Sequence, residues 1–385
     1  MVVGFNINRL RFLLALYGMK EDDLLALLND GLKRKYSNEQ VFTNEIDLKV
    51  LKKIDKVFNK GLSYYVDPAP IQVGESMSVF FRKKNLGEML NFTSKKVVND
   101  FESLKNYLAS LDKLSNVKTE VTLPHCTQRT NPRIAAARVR ELIYPEKETK
   151  TPRDFLKGLI YALSKCGVLV FEYLEAPNKK EKANFDGFFL KPNFIVLKRY
   201  SYFKREIFTL LHEVGHCVLE LEEVESLNTQ QMDYTTMSKT ERWCNDFAFY
   251  FLVGKYADEF MGIDKADGTN DYQFPLFEKI SQECHISRRA LFTRLYYSGK
   301  MSQHDYENVL RDLDDQFSQW LEKKKVLGTS YEEGFKKRIP APKPIYSPMF
   351  LSTLSVALND GVVRPAELYR MNIPSKVVEG LSQWL

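Results

Sequence analysis

The sequence predicts an α+β protein that is mostly helical, in which a small sheet packs on one central helix and helical modules flank this core at both ends. Three observations predict this fold class. Apolar residues recur at three- and four-residue spacing along much of the chain, as on the buried face of amphipathic helices. Two short runs rich in Val, Ile, Leu and Phe, residues 168–173 and 188–197, are typical of strands. Prolines within 68–70 and 338–344 interrupt the helical pattern and divide the chain.

Four segments follow from these patterns. Residues 1–68 contain four or five short amphipathic helices and form a compact module. Residues 71–150 are mixed, with an extended run over 77–82 before a long helical pattern, and they bridge the two ends of the chain. Residues 151–325 hold both predicted strands and the most apolar helices, so we expect the central domain there. Residues 346–385 follow the second proline-rich break and form a C-terminal helical unit.

The composition is typical of a globular protein from a reducing compartment. The chain has 385 residues and 44% hydrophobic content, enough for two or three packed domains. Its net charge of +6 is spread along the chain, so composition alone indicates no strong nucleic-acid surface. Without a signal-peptide pattern or a run of 18 apolar residues, we expect a cytoplasmic protein with no membrane partner. The cysteines are odd in number and form no C-x-x-C pair, which argues against a disulfide framework: Cys126, Cys166, Cys217, Cys244 and Cys284.

A His-Glu-x-x-His sequence, from His212 to His216, lies inside a segment whose pattern predicts one helix over residues 203–222. At 3.6 residues per turn the two histidines stand on one face, so both imidazoles can reach a single metal ion. Glu213 lies too close to His212 in sequence to be the natural third ligand, but it is placed to take a proton from an attacking water molecule. The same short motif also occurs by chance in unrelated proteins, in helices that bind no metal.

A second predicted helix, residues 238–253, supplies a candidate third ligand. Glu241 opens this strongly apolar helix, and a His-His-Glu zinc site takes its third ligand from a helix downstream of the motif. Asn245 lies one turn further on the same face, where its amide could orient a metal ligand through a hydrogen bond. The alternative is a capping box between Ser238 and Glu241, in which the glutamate only closes the helix N-terminus.

These two motifs resemble those of the ImmA/IrrE-type metallopeptidases of bacteria, phages and mobile elements. The resemblance is specific over residues 208–216 and 241–248. It extends more diffusely to a strand at 167–171, a helical segment at 286–295 and the tail at 347–361. The similarity therefore covers about residues 150 to 385 and leaves the N-terminal part to be interpreted separately.

The resemblance implies a zincin-like catalytic domain in which His212, His216 and Glu241 bind one zinc ion per chain and Glu213 acts as general base. It further implies an endopeptidase of regulatory type, whose substrate is a specific protein such as a transcriptional repressor or an antitoxin. A His-His-Glu set accepts several divalent ions, so Mn²⁺ and Fe²⁺ stay open beside Zn²⁺. The chain departs from the family at residues 253–255, Val-Gly-Lys, where relatives often have a Met-Pro pair that shapes the cleft.

The N-terminal module resembles a degenerate phage-repressor-type helix-turn-helix domain over residues 7–25. Its predicted recognition helix, residues 37–43, is short of basic residues, which favours a module for protein contacts over a DNA reader. DNA contact through residues 1–68 stays an alternative. Two other functions therefore stand beside the endopeptidase: a DNA-binding regulator, and a toxin or sequestering partner, each with a metal site that is sensory or not proteolytic.

Sequence spacing does not choose the group that stabilises negative charge on the substrate. Tyrosine and histidine side chains have suitable donors, but most such residues belong to ordinary cores and surfaces. Two arginines lie where relatives often carry a basic residue, and we expect them to be structural or to support the site from outside. The residues in question are Tyr250, His285, Tyr296 and Tyr297 as donors, with Arg205 and Arg294 as the arginines.

Overall fold

A computed structural model of the chain shows an α+β protein that is mostly helical, and this confirms the predicted fold class. The chain forms two compact units, residues 1–108 with 175–185 and residues 109–174 with 186–385. These limits differ from the four segments predicted above, whose boundaries stay predictions. The structure describes residues 1–71, 90–115, 120–145, 149, 151–176, 181–200, 202–222, 224–226, 237–264, 274–327, 343–370, 373 and 375–382.

The first unit combines short helices with a two-stranded sheet. Strand β1 (Val2–Gly4) pairs antiparallel with β2 (Glu45–Asp47), with Val3 opposite Ile46. The sequence predicts only helices here, because strands of three residues are too short to show an alternating pattern. The helices up to residue 114 are α1 (Ile7–Tyr17), α2 (Glu21–Asn29), α3 (Asn38–Val41), α4 (Leu48–Phe58), α5 (Leu62–Val66) and α6 (Phe92–Leu114).

The segment predicted as a recognition helix forms a helix of a single turn. Helix α3 has four residues and begins at a capping box between Ser37 and Gln40. The helix-turn-helix resemblance is not confirmed and stays a prediction. The extended run predicted at 77–82 lies outside the described residues, and the long helical pattern that follows it forms α6.

The second unit consists of helices around a four-stranded sheet. The sheet has the strand order β3-β5-β4-β6, with β3 and β5 parallel and β4 and β5 antiparallel. Its strands are β3 (Leu169–Tyr173), β4 (Phe185–Leu190), β5 (Phe194–Lys198) and β6 (Val224–Ser226). Its helices are α7 (Pro132–Ile143), α8 (Pro152–Lys165), α9 (Phe203–Leu219), α10 (Lys239–Val253), α11 (Ala257–Met261), α12 (Phe274–Glu283), α13 (Arg288–Tyr297), α14 (Gln303–Leu327), α15 (Pro348–Asn359), α16 (Pro365–Arg370) and α17 (Ser375–Ser382), with a 3₁₀ turn at Gly254–Tyr256.

The prediction of a single strand over residues 188–197 is wrong. Two antiparallel strands, β4 and β5, occupy this region, with Leu190 opposite Phe194. Pro192 lies between them and has no N–H with which to continue a ladder, so the chain turns there. Asn193 fixes the turn by donating from Nδ2 to the carbonyl oxygen of Gly167 at 2.7 Å. The run of apolar residues outweighed this turn signal in the sequence.

Helix α9 lies at the centre of the second unit. Most of its residues from 206 to 219 are buried, because the helix packs against β5 and α8 as well as against α10. Helices α9 and α10 approach each other closely at Gly215, where a Cβ atom would lie 3.1 Å from Cys244 Sγ and 3.2 Å from Cys244 Cα. A larger residue would push the two helices apart, so Gly215 sets their spacing.

Helix α15, the first of the last three helices, packs on the edge strand β3. Phe350 meets Phe171 edge-on, with ring centroids 5.0 Å apart. The N–H of Met349 donates to Ser164 Oγ at 2.8 Å, which ties the start of α15 to α8. Over the part of the chain that is described, no helix combines the length and apolar content needed to cross a membrane.

Candidate metal centre

Helix α9 carries the His-Glu-x-x-His residues into the interior of the second unit. His212, Glu213 and His216 are only 2%, 1% and 1% exposed, respectively. The two imidazole rings lie one turn apart, with centroids 4.9 Å from each other. Burying three polar side chains is unfavourable unless polar partners surround them. The face of α9 that bears them must therefore meet polar groups from neighbouring elements.

Helix α10 supplies the matching group. Ser238 caps α10 by accepting a hydrogen bond from the Glu241 N–H at 3.1 Å. The carboxylate of Glu241 lies against α9, with Oε2 3.1 Å from His212 Nε2 and Oε1 3.4 Å from His216 Nε2. The glutamate side chain therefore faces the two histidines and not the end of its own helix.

The three side chains bring together the ligand atoms that a metal ion needs. The two Nε2 atoms of His212 and His216 are 3.1 Å apart, and the ligand atoms of the three residues lie within 4.8 Å of one another. In a tetrahedral zinc site with bonds of about 2.0–2.2 Å, two ligand atoms lie about 3.3–3.6 Å apart. The separations of 3.1 and 3.4 Å in this triangle are close to that spacing. The residues present fit a zinc ion.

The electrostatics of the triangle favour an ionised Glu241. Burial alone would raise the pKa of this carboxyl group, but the charge on His212 and the hydrogen bonds from both histidines outweigh burial and hold the pKa well below its usual range. An ionised carboxylate is the form that ligates a metal. The two histidines therefore hold Glu241 in the carboxylate form, which is the form that could ligate a metal ion.

Asn245 holds His212 in a single orientation. His212 Nδ1 and Asn245 Oδ1 are 3.0 Å apart, so an Nδ1–H donates to the amide oxygen. When the ring gives up the Nε2 proton that hydrogen-bonds to Glu241, the Nε2 lone pair points into the triangle. The amide is itself oriented, because Asn245 Nδ2 donates to Met237 Sδ at 3.7 Å. This contact lies where the sequence places Asn245, one helical turn after Glu241. The sequence gives no signal for Met237, which precedes the helix.

Glu213 lies against strand β4 at a glycine. A Cβ atom added to Gly187 would be 3.1 Å from Glu213 Oε1 and 3.2 Å from Glu213 Cγ. Gly187 is not among the site residues predicted from the sequence. The available signal is a glycine inside a strand that otherwise carries large apolar residues, since glycine weakens a strand and often marks a close approach.

The two predicted arginines form structural ion pairs. Arg205 at the start of α9 donates to both carboxylate oxygens of Asp186 at 2.7 to 3.1 Å. Arg294 on α13 pairs with Asp246, the residue after Asn245 on α10. The arginines therefore anchor β4 to α9 and α13 to α10. Both contacts brace the elements that carry the metal-binding side chains.

All four candidate donors for substrate charge make other contacts. His285 Nε2 is 3.2 Å from Thr149 Oγ1, and its ring packs on Phe155 with centroids 4.6 Å apart. Tyr296 stacks on Tyr306 at 4.7 Å. Tyr250 lies near the guanidinium of Arg294, 5.7 Å from its carbon to the ring centroid. Tyr297 packs against Tyr296 at the end of α13, with ring centroids 5.7 Å apart. These contacts assign the oxyanion role to none of the four residues.

The cysteines near the site are buried apolar groups. Cys217 follows His216 directly, and burial raises the pKa of its thiol to about 12. A neutral thiol does not ligate a metal, because only the thiolate does. Cys244 packs against Gly215 at the contact between α9 and α10.

An open groove of about 500 Å³ lies at the C-terminal end of α9. Leu219, on its wall, follows His216 by three residues and so lies one turn further on the same helix face. A hydrogen bond of 2.7 Å from Gln128 Nε2 to Thr240 Oγ1 ties the opposite wall to α10, next to Glu241. The groove is lined by His125, Cys126, Thr127, Gln128, Arg129, Leu219 and Leu221.

Comparison with known proteins identifies one family over the central part of the chain. Residues 164–257 match the family model Peptidase_M78, described as the IrrE N-terminal-like domain. The matched residues include both helices of the metal centre and the strands from β3 to β6. No curated protein and no solved structure matches the chain.

Proposed function

We propose, on the premise that this chain belongs to the IrrE N-terminal-like peptidase family through residues 164–257, that it is a zinc-dependent endopeptidase of regulatory type. One observation carries the proposal: the Nε2 atoms of His212 and His216 and the carboxylate of Glu241 converge at the spacing of a zinc site. The histidines come from one helix and the glutamate from another. A chance His-Glu-x-x-His sequence would have no reason to meet such a partner.

The zinc site we propose uses three protein ligands. Two neutral imidazoles and one carboxylate leave a fourth position of a tetrahedral ion open for water or substrate, which is the arrangement of catalytic sites. When bound, zinc supplies Lewis-acid chemistry that makes water a stronger nucleophile and polarises the scissile carbonyl. Asn245 supports this site by keeping the proton of His212 on Nδ1.

Glu213 is the proposed general base. Glu213 is buried on the same helix as the two histidines and is not one of the three clustered ligand residues, so its carboxylate is not taken up by metal ligation and can act on a water molecule in the triangle. Glu213 accepts a proton from that water as its oxygen attacks the carbonyl carbon. It then delivers the proton to the leaving amine nitrogen as the C–N bond breaks. The carboxylate therefore returns to its ionised form at the end of each cycle.

The substrate we propose is a specific protein, such as a transcriptional repressor or an antitoxin. This class is inferred from the family resemblance. The groove at the end of α9 supports peptide binding, because Leu219 on its wall lies one turn after His216 and the groove is large enough for one or two side chains. Its lining is mixed, with apolar contacts from Leu219 and Leu221 and polar groups from Gln128 and Arg129, so the groove alone does not select one class of substrate side chain.

The proposal is tested by comparing zinc-loaded wild-type protein with Glu213→Gln. The variant keeps the shape of the side chain but cannot accept a proton. Both proteins are incubated with a pooled library of unstructured peptides, and the products are identified by mass spectrometry. We expect the variant to cleave on the order of 10²- to 10⁴-fold more slowly, which is the usual contribution of a general base. Equal cleavage by the two proteins would contradict the proposed role of Glu213.

The regulatory class is tested in cells that produce either protein. New protein N-termini are labelled and compared between the wild type and Glu213→Gln. We expect one or a few new termini in one partner protein. Many termini spread over unrelated proteins would show a digestive peptidase, and none at all, with zinc bound, would favour a sequestering partner.

A further inference from the structure

Strand β4 carries its glycine directly opposite the proposed base. An added Cβ atom at Gly187 would lie 2.6 Å from Thr209 Cγ2 and 3.1 Å from Glu213 Oε1. Real Cβ atoms essentially never approach another heavy atom as closely as 2.6 Å, and 3.1 Å is already tight. No residue larger than glycine fits here unless these side chains move.

Space, and not backbone conformation, explains this glycine. Gly187 is not among the glycines with a positive φ, so any residue could adopt its backbone conformation. It lies within the ladder, opposite Leu197 of β5. Glycine in the interior of a strand weakens the strand, since it has no side chain to pack. The close approach of α9 is the feature that requires it.

A row of residues on α9 fixes this approach. Arg205, Thr209 and Glu213 follow one another at four-residue spacing and so share one helix face. Arg205 holds Asp186, the neighbour of Gly187, through two or more hydrogen bonds of 2.7 to 3.1 Å. The ion pair between Arg205 and Asp186 therefore ties α9 to β4 at the residue next to Gly187. Glu213 is two helical turns along from that anchor.

We propose that Gly187 is a positioning residue for Glu213. Because Gly187 has no side chain, β4 leaves the space that the Glu213 carboxylate and its Cγ occupy. The close approach of β4 also limits the rotamers that Glu213 can adopt. The carboxylate is thereby held beside His212 and His216, where proton transfer takes place. This inference rests on the proposed function of Glu213 as general base.

The consequence of filling this space follows from the distances. In Gly187→Ala the new methyl group must displace Glu213, Thr209 or both. A misplacement of about 1 Å in a reacting group can lower a rate by on the order of 100-fold. None of the three atoms nearest to the added Cβ belongs to His212, His216 or Glu241, so we expect the variant to keep its metal binding.

Acetohydroxamate is a probe that needs no knowledge of the substrate. A hydroxamic acid binds a metal as its anion, so its affinity depends on a nearby base that takes the proton. We expect zinc-loaded Gly187→Ala and Glu213→Gln to bind acetohydroxamate on the order of 10- to 100-fold more weakly than the wild type. Zinc content should equal that of the wild type in both. Wild-type affinity in Gly187→Ala, together with weak binding in Glu213→Gln, would overturn the inference.

Thr209→Ser provides the matched control. Serine lacks the Cγ2 atom that meets the added methyl group at 2.6 Å, so the double variant Gly187→Ala/Thr209→Ser keeps only the contact with Glu213. We expect the double variant to bind acetohydroxamate as weakly as Gly187→Ala. Recovery to the wild-type affinity would show that the glycine serves helix packing at Thr209 and would refute the positioning role. If Glu213→Gln binds acetohydroxamate as tightly as the wild type, Glu213 is not the base, and the inference about Gly187 is then also wrong.

A thermal-unfolding cycle tests the contact without metal or substrate. Gly187→Ala is measured in the wild-type background and in Glu213→Ala, which removes the atoms in the way. We expect the loss in unfolding midpoint to be smaller in the Glu213→Ala background. An equal loss in the two backgrounds would show that Gly187 and Glu213 are not coupled, and would overturn the inference.

Discussion

Asn245→Ala tests whether the hydrogen bond to His212 matters for metal binding. The amide oxygen lies 3.0 Å from His212 Nδ1, and the His212 side chain is only 3% exposed. Removal of the amide leaves the buried Nδ1–H without its protein acceptor. The imidazole is then free to rotate or to shift its proton to Nε2, the atom that faces Glu241. Both changes remove the lone pair that we expect to bind zinc.

The size of the effect follows from the burial of that N–H group. Leaving a buried donor unsatisfied costs about 1–3 kcal/mol, and 1.4 kcal/mol corresponds to a factor of about ten in an equilibrium constant. We therefore expect zinc affinity to fall about 10- to 100-fold, the range usual for hydrogen-bond partners of metal ligands. Asn245→Asp keeps an acceptor at the same place and should retain wild-type affinity or exceed it.

The assay is competition for zinc against a chromophoric chelator at fixed pH. Wild type, Asn245→Ala and Asn245→Asp are titrated side by side, and circular dichroism checks that each is folded. A zinc affinity for Asn245→Ala within about twofold of the wild type would refute the reasoning, because it would show that the hydrogen bond does not orient the ligand.

Two further predictions concern packing and buried charge. Gly215→Ala should lower the free energy of unfolding, measured in urea, by about 1–3 kcal/mol, because the new Cβ atom would lie 3.1–3.2 Å from Cys244. The control is Gly380→Ala, which has open space around it and should change the free energy of unfolding by less than about 0.5 kcal/mol. A Gly380→Ala loss as large as that of Gly215→Ala would contradict this explanation. Burial, with Glu172 nearby, raises the pKa of Glu206 from 4.5 to about 8. The protonated carboxyl group therefore stabilises the folded state fully below about pH 4.5, and this stabilisation is lost as the pH rises through about 8. Glu206→Gln should therefore melt at a higher temperature than the wild type above pH 8 and at a similar temperature near pH 5, and a difference independent of pH would count against the shifted pKa.

The parts of the site that lie on one helix could be predicted from the sequence. The spacing of His212 and His216 places them on one face by helix geometry alone, and the same geometry places Asn245 one turn after Glu241. The meeting of Glu241 with the histidines is a tertiary contact between two helices. Helix spacing does not predict that contact. The residue types indicate it, because a zinc site of this type needs an acidic ligand downstream of the two histidines.

The parts that were missed depend on contacts that leave little trace in a single sequence. Gly187 is one residue in a strand, and its role depends on Thr209 and Glu213, which lie on another element. The strands β1 and β2 have three residues each, too few for an alternating pattern. The division of the region 188–197 was signalled by Pro192, and a stricter use of proline as a strand breaker would have found it.

The most direct test of the account is the zinc content of the purified protein, measured by plasma mass spectrometry for the wild type, His216→Ala, Glu241→Ala and Glu213→Gln. We predict about one zinc ion per chain in the wild type and in Glu213→Gln, since the proposed base is not a ligand. The content should fall sharply in His216→Ala and Glu241→Ala. A wild type that takes up no zinc, or a Glu241→Ala variant that keeps all of it, would contradict the proposed metal centre.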